Sequence, residues 1–181
     1  TLDHDGISLH GWFIQNEINP ENPLIIYYSG NAEEVSMNLY DLDKFGNRSL
    51  LFMNYRGYGK SEGRPGQDAL FSDALFIFDH ISKKYHIPPE KIILKGRSLG
   101  SAVAIHVAGQ RKVKAVLLVT PFDNMVNVAK KHYPIFPIKH LLRHPFYSDR
   151  IANKITCPML AIIGEQDQII PNENSLALVE Q

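Results

Sequence analysis

Gly96-Arg97-Ser98-Leu99-Gly100 sets a serine between two glycines, directly after the apolar run Ile92-Ile93-Leu94 and directly before the alanine-rich stretch Ser101-Ala102-Val103-Ala104-Ile105. A strand that turns sharply into a helix at a serine holds that hydroxyl out from the backbone, and flanking glycines avoid the clashes such a turn would force. The start of the helix adds partial positive charge where an oxyanion would develop. The chemistry this spacing supports is nucleophilic attack on a carbonyl carbon, with Ser98 as the attacking group. Chance produces Gly-x-Ser-x-Gly at a modest rate; the strand before it and the helix after it favour a nucleophile over a plain turn.

Two further segments fit the same chemistry. Leu24-Ile25-Ile26-Tyr27-Tyr28 is a buried-type strand that runs into Ser29-Gly30-Asn31. The Asn31 backbone N–H is a candidate oxyanion donor beside that of Leu99. In isolation Gly30-Asn31 is equally well an ordinary strand-to-helix turn, and the two readings are compatible. Asp167 follows the apolar run Met159-Leu160-Ala161-Ile162-Ile163, where an acid could orient a histidine Nδ1 and stabilise its imidazolium. Glu165 competes for that role, and a solvated loop carboxylate is the plain alternative for both. The position after the strand favours Asp167.

Elements able to carry these residues follow from the hydrophobic pattern. Short runs rich in Val, Ile, Leu and aromatics alternate with helical stretches, which predicts an α/β fold with a mostly parallel central sheet flanked by helices. Strands are expected at residues 9–15, 24–29, 49–55, 91–96, 113–120 and 158–164, with the last four in the sheet interior. Helices are expected at 32–45, 68–85, 98–110 and 173–181. One face of the second is traced by Ala69, Leu70, Asp73, Ala74, Ile77 and Ile81. Residues 121–150 break the alternation with four prolines, several aromatics and the bases Lys130, Lys131, Lys139 and Arg143. An aromatic-rich insertion of this length predicts a lid within a single domain spanning residues 1–181.

Composition narrows the partners. The 181 residues carry 19 Lys and Arg against 19 Asp and Glu, a net charge of zero, so no whole-molecule field favours nucleic acid. Cys157 is the sole cysteine, which excludes an internal disulfide and suits a reducing, cytoplasmic compartment. The apolar runs are far shorter than the roughly 18 residues of a membrane span, so no transmembrane segment is expected. Residues 1–6 begin with Thr and form no charged-then-apolar leader, which leaves an upstream anchor open. Gly57-Tyr58-Gly59-Lys60-Ser61 lacks the leading glycine of a phosphate-binding loop, and His140 and His144 lack the glutamate of a helical zinc site and read as an amphipathic helix surface. Neither metal nor organic cofactor is implied.

In order along the chain, Leu9-His10-Gly11-Trp12-Phe13-Ile14, Tyr28-Ser29-Gly30-Asn31-Ala32, Asn54-Tyr55-Arg56-Gly57-Tyr58-Gly59-Lys60-Ser61-Glu62-Gly63, Gly96-Arg97-Ser98-Leu99-Gly100-Ser101, Thr120-Pro121-Phe122 and Gly164-Glu165-Gln166-Asp167-Gln168-Ile169-Ile170-Pro171 resemble the α/β-hydrolase superfamily. They look most like the serine hydrolase group that holds protein depalmitoylases and lysophospholipases. The resemblance implies Ser98 as nucleophile, Asp167 as triad acid, and the Asn31 and Leu99 amides as oxyanion hole. It implies a serine hydrolase cleaving carboxylic esters or thioesters through an acyl-serine intermediate, with a small-molecule or acyl substrate. Two departures stand out. Ser29 replaces the histidine common before Gly-Asn, and no histidine follows His144, whereas the family's base follows the acid.

The expectation is therefore a chain without its last strand and general base, in which His132, His140 and His144 are polar face residues of the lid. A non-catalytic binding or dimerisation module and a serine peptidase are the alternatives. An open sheet edge would favour self-association.

Overall fold

Asp5 and Gly6, at φ 53° and 73°, form a two-residue turn of the kind that matches strand twist. It joins β1 (Leu2–His4) to β2 (Ile7–Leu9) as an antiparallel hairpin. The computed structural model describes residues 1–19 and 21–180. The strand expected at 9–15 is thus two elements, because His10 leaves the ladder: its N–H donates to Ser61 Oγ at 2.9 Å and its carbonyl accepts from the Asn54 N–H at 3.0 Å. The chain then enters the main sheet as β3 (Gly11–Ile14).

That sheet comprises β3, β4 (Leu24–Tyr28), β5 (Leu50–Met53), β6 (Ile92–Arg97), β7 (Ala115–Val119) and β8 (Met159–Ile162), in the order β3-β5-β4-β6-β7-β8. β3 runs antiparallel to β5 and every other pair is parallel. The mostly parallel sheet agrees with the sequence expectation, with one correction: β8 stands at the edge, and β4 takes a central place. Leu160 and Ile162 of β8 remain 62% and 51% exposed; among the described residues only β7 pairs with that strand.

Two helices cover one face. α1 (Gln67–Lys84) buries Leu70, Ala74, Ile77, Phe78 and Ile81 at helical spacing. α2 (Leu99–Ala108) is apolar nearly all round and is buried along most of its length, as a helix at the centre of the core must be. Each fully buried Leu, Ile or Val, such as Ile26, Leu94 or Ile105, contributes about 1.5–3 kcal/mol relative to exposure. The helix expected at 32–45 is a 3₁₀ segment, Val35–Phe45, interrupted at Asp41. Buried Asp73 on α1 accepts from Arg56 Nε at 2.6 Å and lies 2.7 Å from His4 Nδ1, tying the β5–α1 loop and the hairpin to the core.

Between β7 and β8 the chain makes its long excursion through α3 (Met125–His132), α4 (Ile138–Leu141) and a short 3₁₀ turn, Ala152–Lys154. Asn124 caps α3 by accepting from the Asn127 N–H at 2.9 Å, and its own amide donates to Asp149 at 2.9 Å. Met125 N–H donates to Pro145 O at 2.7 Å, which closes the excursion at its base. α4 ends at Leu141, so His144 lies outside the helix that the four-residue spacing from His140 suggested. α5 (Asn172–Val179) follows β8; Gln181, the end of the helix expected there, lies outside the described residues. Among the described residues no helix is long and apolar enough to cross a membrane.

Candidate active site

Ser98 stands where β6 turns into α2, at φ 50° and ψ −117°. A side chain in this region costs on the order of 1–3 kcal/mol and persists only where the surroundings impose it. They do so by hydrogen bonds and by close packing. The Ser98 N–H donates to Val119 O at 2.9 Å, while its carbonyl accepts from the Ser101 N–H at 2.8 Å and Ser101 Oγ at 2.6 Å. A Cβ on Gly96 would stand 2.3 Å from Gly100 O, and one on Gly100 would stand 2.0 Å from Tyr28 O. Both flanking positions admit glycine alone, because the strand, the turn and β4 touch backbone to backbone.

The turn after β4 lies against this serine. A Cβ on Gly30 would be 3.9 Å from Ser98 Cβ. Asn31 and Leu99 line the same cavity as Ser98, and among the described residues neither backbone N–H has an acceptor. Glu33 braces the turn from behind: it accepts from the Gly30 N–H at 2.8 Å, Tyr27 OH at 2.8 Å, Asn38 Nδ2 at 3.0 Å and Arg97 Nη1 at 3.2 Å. Burial alone would raise the Glu33 pKa. The hydrogen bonds from Asn38, Gly30 and Tyr27, with the charge of Arg97, outweigh it and hold the carboxyl below the usual range. The same burial, together with the Glu33 charge, pushes the Tyr27 phenol up. On the open side Tyr58 OH donates to Asn31 Oδ1 at 2.7 Å and accepts from the Ala32 N–H at 3.3 Å. Ser29, in place of the histidine common in the resembling family, is fully buried, and its carbonyl accepts from Tyr55 OH at 3.0 Å.

Asp167 lies in the loop after β8. Its Oδ1 accepts from the Ile169 and Ile170 N–H groups at 2.8 and 2.9 Å, while Oδ2 has no partner among the described residues. Glu165 is exposed and makes no comparable contacts. Strand register puts Arg97 beside Val119 and Val119 beside Ile162, so the Ser98 and Asp167 turns share the carboxyl edge of the sheet. Two strand spacings, about 10 Å, separate those strand ends.

The cavity over Ser98 has a volume of about 530 Å³. Its polar floor is Asn31, Ser98 and Tyr58, and its walls include Leu70, Val128, Leu142 and Phe146. His132 and His144 also line it, each engaged elsewhere: His132 Nε2 donates to Ile169 O at 2.9 Å, and His144 Nδ1 accepts from the Gln67 N–H at 3.3 Å. Among the described residues no histidine is hydrogen-bonded to Ser98 or Asp167. His106 stacks on Phe71 and its pKa is lowered by burial. A cavity of about 350 Å³ near Cys157 and Arg111 lies at the opposite end of the strands. A half-buried hydroxyl, two unpaired amides and an apolar cavity can together receive an acyl carbonyl.

Sequence reasoning missed Glu33 and Tyr58. Tyr58 sits in the Asn54–Gly63 segment that helped carry the family resemblance, which was the available signal. Glu33 offered none, since its partners converge from four separate positions.

Residues 92–181 match a family model described as serine hydrolase (FSH1). An uncharacterized protein of Mycobacterium tuberculosis is 36% identical over 179 residues, covering 97% of this chain and 63% of that protein. The lysophosphatidylserine lipase ABHD12 of Danio rerio is 30% identical over 187 residues, covering 88% of this chain and 47% of that protein. The chain thus spans less than two thirds of the length of these relatives. Among solved structures, an alpha-beta hydrolase from Vibrio vulnificus superposes with a TM-score of 0.80 at 20% identity, covering 99% of this chain and 66% of that one. An acetyl xylan esterase from Paenibacillus sp. R4 gives 0.73 at 20% identity, covering 97% and 70%. At such identities the structures speak for the fold.

Proposed function

We propose that the chain is a serine hydrolase of the α/β-hydrolase superfamily and that it cleaves carboxylic esters or thioesters through an acyl-serine intermediate. The observation that carries this reading is the strained Ser98 backbone, held between two glycines whose positions exclude any side chain. Such a nucleophile elbow keeps Oγ at the floor of the cavity without reorganisation when substrate arrives.

Ser98 Oγ attacks the carbonyl carbon as a histidine takes its proton. The Asn31 and Leu99 amides, forming the oxyanion hole, accept the charge that develops on the carbonyl oxygen, a contribution of about 3 kcal/mol per donor in enzymes of this type. The imidazolium then protonates the departing alcohol or thiol, and water, activated by the same histidine, releases the acyl group. Asp167 fixes the tautomer of that histidine: its Oδ1 is occupied by two backbone amides, which leaves Oδ2 for the Nδ1–H. Of the two histidines that line the cavity, His132 is bonded to Ile169 O and His144 to the Gln67 N–H, so the reading assigns the base to a residue outside these 181. Residues 121–150 act as the lid, and their apolar walls suit an acyl chain better than a polar leaving group.

One observation favours a second reading, a non-catalytic binding module: among the described residues Ser98 has no histidine partner. The test supplies imidazole as a soluble base and offers aryl esters of short and long acyl chains, an acyl thioester and a peptide amide. Turnover of ester and thioester, rising with imidazole and abolished by Ser98→Ala, is the expected result. Equal rates in the variant, or cleavage of the peptide alone, would overturn it.

A further inference from the structure

The tip of the β7–β8 excursion exposes what the rest of the chain buries. Ile135 is 93% exposed, with Tyr133, Phe136 and Leu141 at 59%, 58% and 61%. Ile169, 73% exposed, adjoins them through its carbonyl, which accepts from His132. Pro134 and Pro137 bracket Ile135 and Phe136, and the Phe136 N–H donates to Tyr133 O at 3.2 Å, so the apolar tip is pre-ordered rather than floppy. Buried Ile138 anchors it from beneath.

Charge is segregated on the same segment. In a chain of zero net charge, residues 130–144 hold Lys130, Lys131, Lys139 and Arg143 and no acid. Lys131 pairs with Glu173 at 2.7 Å; the other three are exposed and, among the described residues, have no carboxylate partner. Exposed Ile, Phe, Tyr and Leu ringed by bases is the pattern of a surface that sinks apolar side chains below lipid headgroups and sets cations at their level. The tip adjoins the Ser98 cavity, whose lining includes Tyr133 and Leu142.

We infer that the excursion tip docks on an anionic phospholipid bilayer, inserting Ile135 and Phe136 while Lys130, Lys139 and Arg143 meet the headgroups. The occupant follows from charge complementarity: a second copy would bring the same bases against these. The inference concerns a surface and stands independently of the chemistry at Ser98.

Co-sedimentation of the protein with phosphatidylcholine vesicles, with and without phosphatidylglycerol, tests it. Binding is expected to anionic vesicles alone, to weaken with salt, and to fall about fivefold for each of the three bases replaced by alanine. Ile135→Glu with Phe136→Glu should abolish it. Both positions are exposed, so the fold survives, and circular dichroism checks this; Lys139→Ala with Arg143→Ala is the second pair should the first unfold. Ser98→Ala should bind as the unaltered chain does, which separates this inference from the hydrolase reading. Equal binding to neutral vesicles, no binding to either, or a dimer that Ile135→Glu dissociates would each overturn it.

Discussion

Replacing Glu33 by glutamine keeps the side-chain shape and removes the charge behind the Gly30-Asn31 turn. The carboxylate accepts from the Gly30 N–H and Arg97 on one oxygen and from Tyr27 OH and Asn38 on the other. The amide of Glu33→Gln can still accept from Gly30, with its NH₂ turned toward a rotated Tyr27 hydroxyl. Hydrogen bonds to a charged acceptor exceed neutral ones by about 1 kcal/mol each. Two such bonds in a largely buried setting give a loss of about 2 kcal/mol; exposed Arg97 adds less than about 1 kcal/mol, screened by salt. Because the folded carboxyl titrates below its ordinary range, this stability is fully present above the unfolded pKa and is lost as pH falls through the folded one. Urea unfolding followed by Trp12 fluorescence should therefore show a gap of about 2 kcal/mol between parent and variant at neutral pH, closing as the pH drops below about 4. A variant as stable as the parent at neutral pH, or a gap that persists unchanged into acid, would refute the reasoning.

Gly100→Ala forces a Cβ to within 2.0 Å of Tyr28 O, so α2 must move off β4; unfolding should be easier by about 3 kcal/mol or more, with Ser98 reactivity toward a phosphonate probe falling at least tenfold. Asp73→Ala leaves Arg56 without its carboxylate in a buried setting and should cost about 3–5 kcal/mol in denaturant titrations, whereas breaking the exposed Lys44–Asp41 pair the same way should leave the transition essentially unmoved. The unpaired edge of β8, with Leu160 and Ile162 exposed, should drive concentration-dependent association that Leu160→Lys suppresses, read by light scattering; a strict monomer at high concentration would count against it.

What was legible in the sequence was local. The runs at 24–28 and 92–94 are continuous apolar segments, and Gly-x-Ser-x-Gly declares its own turn, so strand, elbow and helix follow from adjacent residues. What was not legible depends on distant partners. β8 reads as an interior strand by composition, yet its burial is decided by which strands flank it, and among the described residues only β7 does. Glu33 looks like any acid near a helix start until Tyr27, Asn38 and Arg97 converge on it. The break at His10 rests on hydrogen bonds to Ser61 and Asn54, which lie more than forty residues away. The spacing of His140 and His144 suggested one helix face, whereas α4 stops at Leu141.

The central claim is that Ser98 is a pre-formed nucleophile. Intact-mass measurement of the protein and its Ser98→Ala variant after exposure to a fluorophosphonate, with and without imidazole as base, addresses it directly. The account predicts a single adduct on Ser98 that forms faster with imidazole and is absent from the variant. No adduct even with imidazole present, or equal labelling of the variant, would contradict it.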